Sequence, residues 1–278
     1  ITQNVDAILI ANCSSMDAKV DLVQQARSKG IGVYNLDNQV VEGVLANATM
    51  PNGVAAMELI YAIGADTTWN ANVGTIAAKS VQAQIERTYP MEGMMNGVYP
   101  NFKLLASEDM GDSTNPSQTA FDFGETWLQK YGDDLDVIIG AADIIGIGCA
   151  EAIIKNGDEH GENTICAGLD GGSQAWSYIR KDTPFKYSYA QPFEAYAHNI
   201  MELIDELQVQ GMKPGDDGCL ISEEGAAIYE TGMVVSPKNV PEVGESIHAV
   251  FDYYGGDPED ADAWYNWTDG EGAYTVSE

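Results

Sequence analysis

Short apolar runs alternate along the chain with segments of helical spacing. AILIA (7–11) leads into MDAKVDLVQQARSKG (16–30), whose Gly30 suits a helix C-terminus. IGVYNL (31–36) and AAMELIYAIGA (55–65) are further apolar runs, and NVGTIAAKS (72–80) reads as helical. FKLLAS (102–107) precedes PSQTAFDFGETWLQKYG, with Pro116 placed for a first helical turn. VIIGAA (137–142) precedes DIIGIGCAEAIIKNG, and TICAGL (164–169) precedes GSQAWSYIRKD. KYSYA (186–190) precedes PFEAYAHNIMELIDELQVQG, where Ile200, Leu203, Ile204 and Leu207 share one helical face. Strand-like runs without polar alternation, each followed by a helix, predict parallel sheet covered on both faces: an α/β, doubly wound architecture. After Gly211 the chain turns to loop-rich segments around short runs such as AAIYETGMVV, and its last residues are acidic and aromatic.

Each run gives way to polar residues. Asp37 and Asn38 come after the second, and Asp66, with Trp69 and Asn70 beyond it, comes after AIGA. Glu108 and Asp109 follow LLAS, Asp143 follows IIGAA, Asp170 follows CAGL and Gln191 follows SYA. Open parallel sheets bind ligands at the carboxyl ends of their strands, so these side chains are candidates for a site. The alternative for each is a helix N-cap. Asp143, directly before a helix, reads first as a cap; loop residues follow Asp37 and Asp170, which read as ligand groups.

At 278 residues the chain is long enough for two lobes. It is 45% hydrophobic with no unbroken apolar stretch of about 18 residues, so no membrane-spanning helix is expected. With 43 Asp plus Glu against 13 Lys plus Arg, its formal charge of −30 argues against nucleic acid as a partner. Cys13, Cys149, Cys166 and Cys219 form no CxxC, and His160, His198 and His248 form no zinc-type pair, so neither metal nor other cofactor is expected. Cys149 and Cys166 read as small hydrophobes in apolar segments. The sequence holds no GxxxxGK[ST], no GxSxG, and no GxGxxG after a strand.

Taken in order, VDAILIANCSSMDA, GVYNLDNQ, FKLLASEDM, DVIIGAADIIGIGCAEAI, AGLDGGSQA and YSYAQPFEAYA resemble the sugar-binding type I periplasmic binding proteins, the ribose-binding group above all. Each motif is weak alone; the ordered set, over roughly residues 4 to 240, is specific. The resemblance implies two doubly wound parallel-sheet lobes joined by a hinge, with crossings near Ala65, Gln191 and Glu230. The lobes are expected at 1–65 plus 192–229 and at 66–191 plus 230–278. It gives Asp37, Arg87, Asp170 and Gln191 the role of holding sugar hydroxyls in the cleft between the lobes. Asn38 stands where the family has Arg, and Ala142 where it has Asn, departures that argue against ribose itself and leave the scaffold intact. Asn115 falls near a position that is often aromatic. The family's first strand and helix would precede Ile1, and a strand is expected between Ser80 and Val81, where a segment reads as missing.

The chemistry agrees. Sugar hydroxyls donate and accept, so carboxylates, amides and a guanidinium can satisfy them, and charge-assisted bonds are the stronger kind. Arg87 is a counter-charge for the carboxylates Asp37 and Asp170. Trp69 offers a flat face for a sugar ring, or equally a core packing role. The implied function is an extracytoplasmic receptor, periplasmic or lipid-anchored and monomeric, that delivers a small neutral sugar or polyol to the membrane permease of an ABC importer. Two alternatives stand: an enzyme acting on a sugar or nucleoside on the same sheet type, and the sensor module of a sugar-responsive regulator.

Overall fold

A computed structural model describes residues 1–3, 5–11, 15–156 and 163–244. Cys13, His160, His248 and the acidic, aromatic tail lie outside the described residues. The chain divides into two compact units, a smaller one of residues 1–52, 80–86 and 192–231 and a larger one of residues 53–79, 87–191 and 232–278.

The smaller unit holds a four-stranded, all-parallel sheet ordered β1-β2-β3-β9: β1 Ala7–Ala11, β2 Gly32–Leu36, β3 Ala46–Thr49 and β9 Ala226–Tyr229. Helix α1, Val20–Ser28, buries Val23 and Ala26 in a cluster with Ile31, Val33, Val41 and Val44. The short strand β3 has little intrinsic strand preference (Ala-Asn-Ala-Thr), and burial of all four residues holds it in place. Helix α7, Phe193–Ile204, buries Ile200 and Leu203 as its periodicity predicts. A π-turn over Asp205–Val209 then shifts the face. Glu206 is therefore the buried residue there instead of Leu207, and its Oε2 accepts from the Leu220 amide at 3.0 Å.

The larger unit holds a six-stranded sheet ordered β10-β8-β7-β6-β4-β5. Its strands are β4 Ala71–Ala77, β5 Phe102–Asp109, β6 Val137–Gly140, β7 Ile165–Asp170, β8 Phe185–Ala190 and β10 Met233–Val235, of which only β10 is antiparallel to its neighbour. Its helices are α2 Asn52–Asp66, α3 Gln82–Gly97, α4 Pro116–Tyr131, α5 Asp143–Asn156 and α6 Ser173–Arg180, α2 and α3 each beginning on residues assigned to the smaller unit. Alternation along β4 sets Gly74 beneath Trp127 of α4 and Thr75 against Glu92 of α3, so both faces are covered. A Cβ on Gly74 would lie 2.3 Å from the Trp127 ring, which is why a strand here carries glycine. Trp127, Leu128, Ile138, Ile145, Cys149, Ile179 and Phe185 form the centre of the core.

Three readings of the sequence are corrected by the structure. Residues 55–65 lie in helix α2, and residues 71–77 form strand β4. Helix α2 buries Ala55, Ala56, Leu59, Ile60 and Ile63 along one face, but its exposed face also carries the apolar Val54 and Tyr61, so it lacks the clear polar face that marks a helix. The strand expected between Ser80 and Val81 is β4 itself, ending three residues earlier; Val81 then opens α3 by accepting from Gln84 and Ile85.

Candidate functional site

Because β5, β4, β6, β7 and β8 are parallel, their carboxyl ends share one edge of the larger sheet. Asp170 is the last residue of β7 and Gln191 follows β8 directly. Arg87, on α3, reaches the same edge: its Nη1 donates to Asp170 Oδ1 at 3.1 Å and to the Ala141 carbonyl at 3.0 Å. Gln191 Nε2 donates to Asp170 Oδ1 at 2.7 Å, and the Gln191 amide donates to the Asp170 carbonyl at 3.0 Å. The side chain of Arg87 is 3% exposed and that of Asp170 34%. The carboxylate therefore faces outward, while the guanidinium supports it from within. Three of the residues read as sugar-holding groups thus meet at one strand edge.

Asp143 joins this cluster from below. It opens α5 after β6 and is buried. Its Oδ2 accepts from the amides of Gly171 (2.7 Å) and Gly172 (3.2 Å), and its Oδ1 from Ser188 Oγ (2.7 Å). Burial, and then the nearby Asp170 carboxylate, push its pKa up to about 7 against the opposing pull of those three donors. It is an internal acceptor that holds the turn after β7, and its oxygens are engaged by the protein.

In the smaller unit Asp37 directly follows β2, in the left-handed region with φ 49°. Its Oδ1 accepts from Thr49 Oγ1 at 2.7 Å and from Asn52 Nδ2 at 3.5 Å. Asn52 also donates to Glu86 Oε2 at 3.3 Å, and Gln82 donates to Glu86 Oε1 at 2.9 Å. The sequence reading missed Thr49, Asn52 and Glu86, and also Ser188. Thr49 would have stood out at a strand tip had residues 46–49 been recognised as a strand.

The remaining candidates have other work. Asn38 Nδ2 donates to the carbonyls of Ile10 (2.8 Å) and Leu36 (2.9 Å), and its amide donates to Asn47 Oδ1 (3.1 Å), so it ties the ends of β1, β2 and β3 together. Asn115 caps α4, its Oδ1 accepting from the Gln118 amide at 3.4 Å. Asp66 and Trp69 precede β4 and therefore sit at the amino end of that strand, opposite the Asp170 edge. Asp66 binds Lys238 Nζ at 2.7 and 2.9 Å and accepts from Tyr187 Oη, and these bonds, the lysine's first, hold its carboxyl below the usual range. Trp69 stacks on Tyr99 with centroids 3.6 Å apart and meets Tyr61 and Phe102 edge-on. It is a packing residue. Both misplacements follow from reading α2 as a strand, which made the end of a helix look like a strand tip.

Cys149, Cys166 and Cys219 are free thiols; burial pushes Cys149 up to about 12 and Cys166 upward as well, so these two are unreactive packing groups. Among the described residues no group of three or more His, Cys, Asp or Glu is arranged to hold a metal ion.

No curated protein matches the sequence. Solved structures share the fold at low identity. An arabinose-binding protein from Geobacillus stearothermophilus is 16% identical with a TM-score of 0.73, covering 86% of this chain and 79% of its own. A sugar-binding protein of a sugar ABC transporter from Bacillus halodurans is 15% identical with a TM-score of 0.74, covering 86% and 80%. An ABC transporter solute-binding protein from Agrobacterium vitis with bound allitol is 19% identical with a TM-score of 0.70, covering 86% and 78%. The model of the periplasmic binding protein domain matches residues 1–211, more than half of the sequence, and the chain belongs to that family.

Proposed function

We propose that the protein is an extracytoplasmic, monomeric receptor that captures a small neutral carbohydrate or polyol and passes it to the permease of an ABC importer. The observation that carries this reading is the Arg87–Asp170–Gln191 cluster at the carboxyl edge of the larger sheet. A carboxylate with its back to a buried guanidinium and a carboxamide is held in one orientation, and its exposed side accepts hydroxyl protons through charge-assisted bonds. The ligand is neutral because Arg87 is already engaged by Asp170 and the Ala141 carbonyl, while an anionic sugar would meet the Asp170 carboxylate. Asp37, backed by Thr49 and Asn52, is a second group of the same chemistry in the smaller unit. Family membership supports the receptor role, as do the structural neighbours: binding proteins for arabinose and galactofuranose, and solute-binding proteins with bound allose and allitol.

Isothermal titration with L-arabinose, D-allose, allitol and myo-inositol tests the proposal. Saturable one-to-one binding of at least one compound is expected, weakened by substitution of Asp170. Heat only from dilution with all four, together with measurable turnover of a sugar or nucleoside, would favour the enzyme alternative instead.

A further inference from the structure

We propose that Asp143 is a positioning residue for sugar recognition, acting on Asp170 through the Gly171–Gly172 turn; this rests on the reading of Asp170 as the sugar-gripping carboxylate. Asp170 has φ 148°, a conformation that side-chain-bearing residues rarely adopt, and Gly171 follows at φ 75°. Such a conformation persists only where the surroundings fix it from several directions. Gly171 is pressed onto β8 so closely that a Cβ would lie 2.4 Å from Ala190 Cα. The turn's two amides, Gly171 and Gly172, both donate to a single oxygen, Asp143 Oδ2. Ser188 Oγ accepts from the Gly171 amide at 3.1 Å and donates to Asp143 Oδ1, which completes the clamp. Asp143 therefore reaches no solvent-facing ligand itself, yet it fixes the backbone from which Asp170 projects.

The charges around Asp143 make this clamp sensitive to protonation. From β7 it faces Asp170, which opposes its ionisation, and Arg87 of α3 lies behind Asp170 as that group's counter-ion. From β8 it faces the Ser188 hydroxyl, from the turn only amides, and the β6 segment Val137–Ala142 carries no titratable side chain. With a pKa near 7, Asp143 is a full acceptor at pH 8 and a carboxylic acid at pH 6, where one oxygen becomes a donor. A neutral Asn of the same shape keeps one carbonyl oxygen for the two amides and can donate to Ser188 Oγ.

The test compares wild type, Asp143→Ala, Asp143→Asn and Asp170→Ala. The first readout is amide exchange at Gly171 and Gly172 in sugar-free protein; the second is titration with the L-arabinose, D-allose, allitol and myo-inositol panel between pH 6 and 8. Asp143→Ala is expected to speed exchange at both glycines and to weaken sugar binding about tenfold, the equivalent of one charge-assisted bond. Asp143→Asn should recover part of that loss, with an affinity that stays flat between pH 6 and 8. Wild-type affinity should fall about threefold from pH 8 to pH 6, to the level of Asp143→Asn, because the protonated acid and the amide offer the clamp the same one acceptor and one donor. If Asp143→Ala does not fold, the pH profiles of wild type and Asp143→Asn decide alone, and matching profiles overturn the proposal. Unchanged exchange at Gly171 and Gly172 also overturns it, as does altered exchange with unaltered affinity. If Asp170→Ala binds as wild type does, or no sugar of the panel binds wild type, the failure belongs to the sugar reading.

Discussion

Replacing Asp170 by Asn removes one charge and almost no volume, which separates recognition from folding. An Asn Oδ1 in the same place still accepts from Arg87 Nη1 and Gln191 Nε2, now 3.1 and 2.7 Å from the carboxylate oxygen. Arg87, 3% exposed, keeps its bond to the Ala141 carbonyl as well. The ion pair itself contributes modestly, because Asp170 is 34% exposed and water screens it, so stability should change by about 1 kcal/mol or less. Binding loses more. Hydroxyls that donated to a carboxylate would meet an amide, forfeiting bonds worth about 1.5–3 kcal/mol, or roughly tenfold to over a hundredfold in affinity. Removing the charge also relieves Asp143 of its carboxylate neighbour, so the pKa of Asp143 should drop towards the usual range while staying raised by burial. Calorimetric titration, with thermal unfolding as the control for folding, reads both effects. Affinity within twofold of wild type, in a variant that melts like wild type, would refute the assignment of Asp170 as the gripping group.

The same geometry sets three further outcomes. Asp37→Ala should weaken binding of the same sugar by about 1.5–3 kcal/mol, measured by the same titration; unaltered affinity would leave Asp37 a structural group, bonded to Thr49 and Asn52. Trp69→Ala should destabilise the protein by about 2–4 kcal/mol, below the upper range for a fully buried tryptophan, because its ring is only partly buried against Tyr61, Tyr99 and Phe102. Its sugar affinity should be unchanged, and a loss of affinity in folded Trp69→Ala protein would restore it to the site. The raised pKa of Asp143 means that the native form binds its proton more tightly than the unfolded chain does. Its contribution therefore favours folding below the ordinary value of 3.8 and is lost as pH rises through about 7. The shift corresponds to at most about 4 kcal/mol, so chemical denaturation between pH 5 and 8 should show wild type losing stability with rising pH more steeply than Asp143→Asn; parallel curves would count against a buried ionisable group there.

Much of this was legible in the primary structure, and the omissions have physical causes. The runs at 31–36, 137–142, 164–169 and 186–190 declared themselves because strands buried on both faces are largely apolar, and the partly exposed edge strands at 7–11 and 102–107 were still apolar enough to be read. That made Asp37, Asp170 and Gln191 visible as abrupt polar stops, and the family resemblance picked out Arg87. The same logic failed at α2, where the apolar Val54 and Tyr61 on the exposed face blurred helical periodicity, and at β4, where Gly74 gives way to Trp127 and alanines end the strand. Asp66 and Trp69 were drawn to the wrong end of the sheet by that exchange. β3 was invisible because tertiary burial, and no local preference, makes Ala46–Thr49 a strand. Asn38 and Asp143 show a further limit: an amide or carboxylate at a strand tip satisfies backbone groups as readily as it meets a ligand, and only the positions of Ile10, Leu36, Gly171 and Gly172 tell the two apart.

The central claim is that a neutral carbohydrate is held by the carboxylate of Asp170. Its most direct test is mass spectrometry of the small molecules released by denaturing the freshly purified protein, wild type beside Asp170→Asn. The account predicts a single neutral polyhydroxylated compound of sugar size, close to one per wild-type chain and strongly depleted in the variant. An anionic or non-carbohydrate compound, or a sugar retained equally by both proteins, would contradict it.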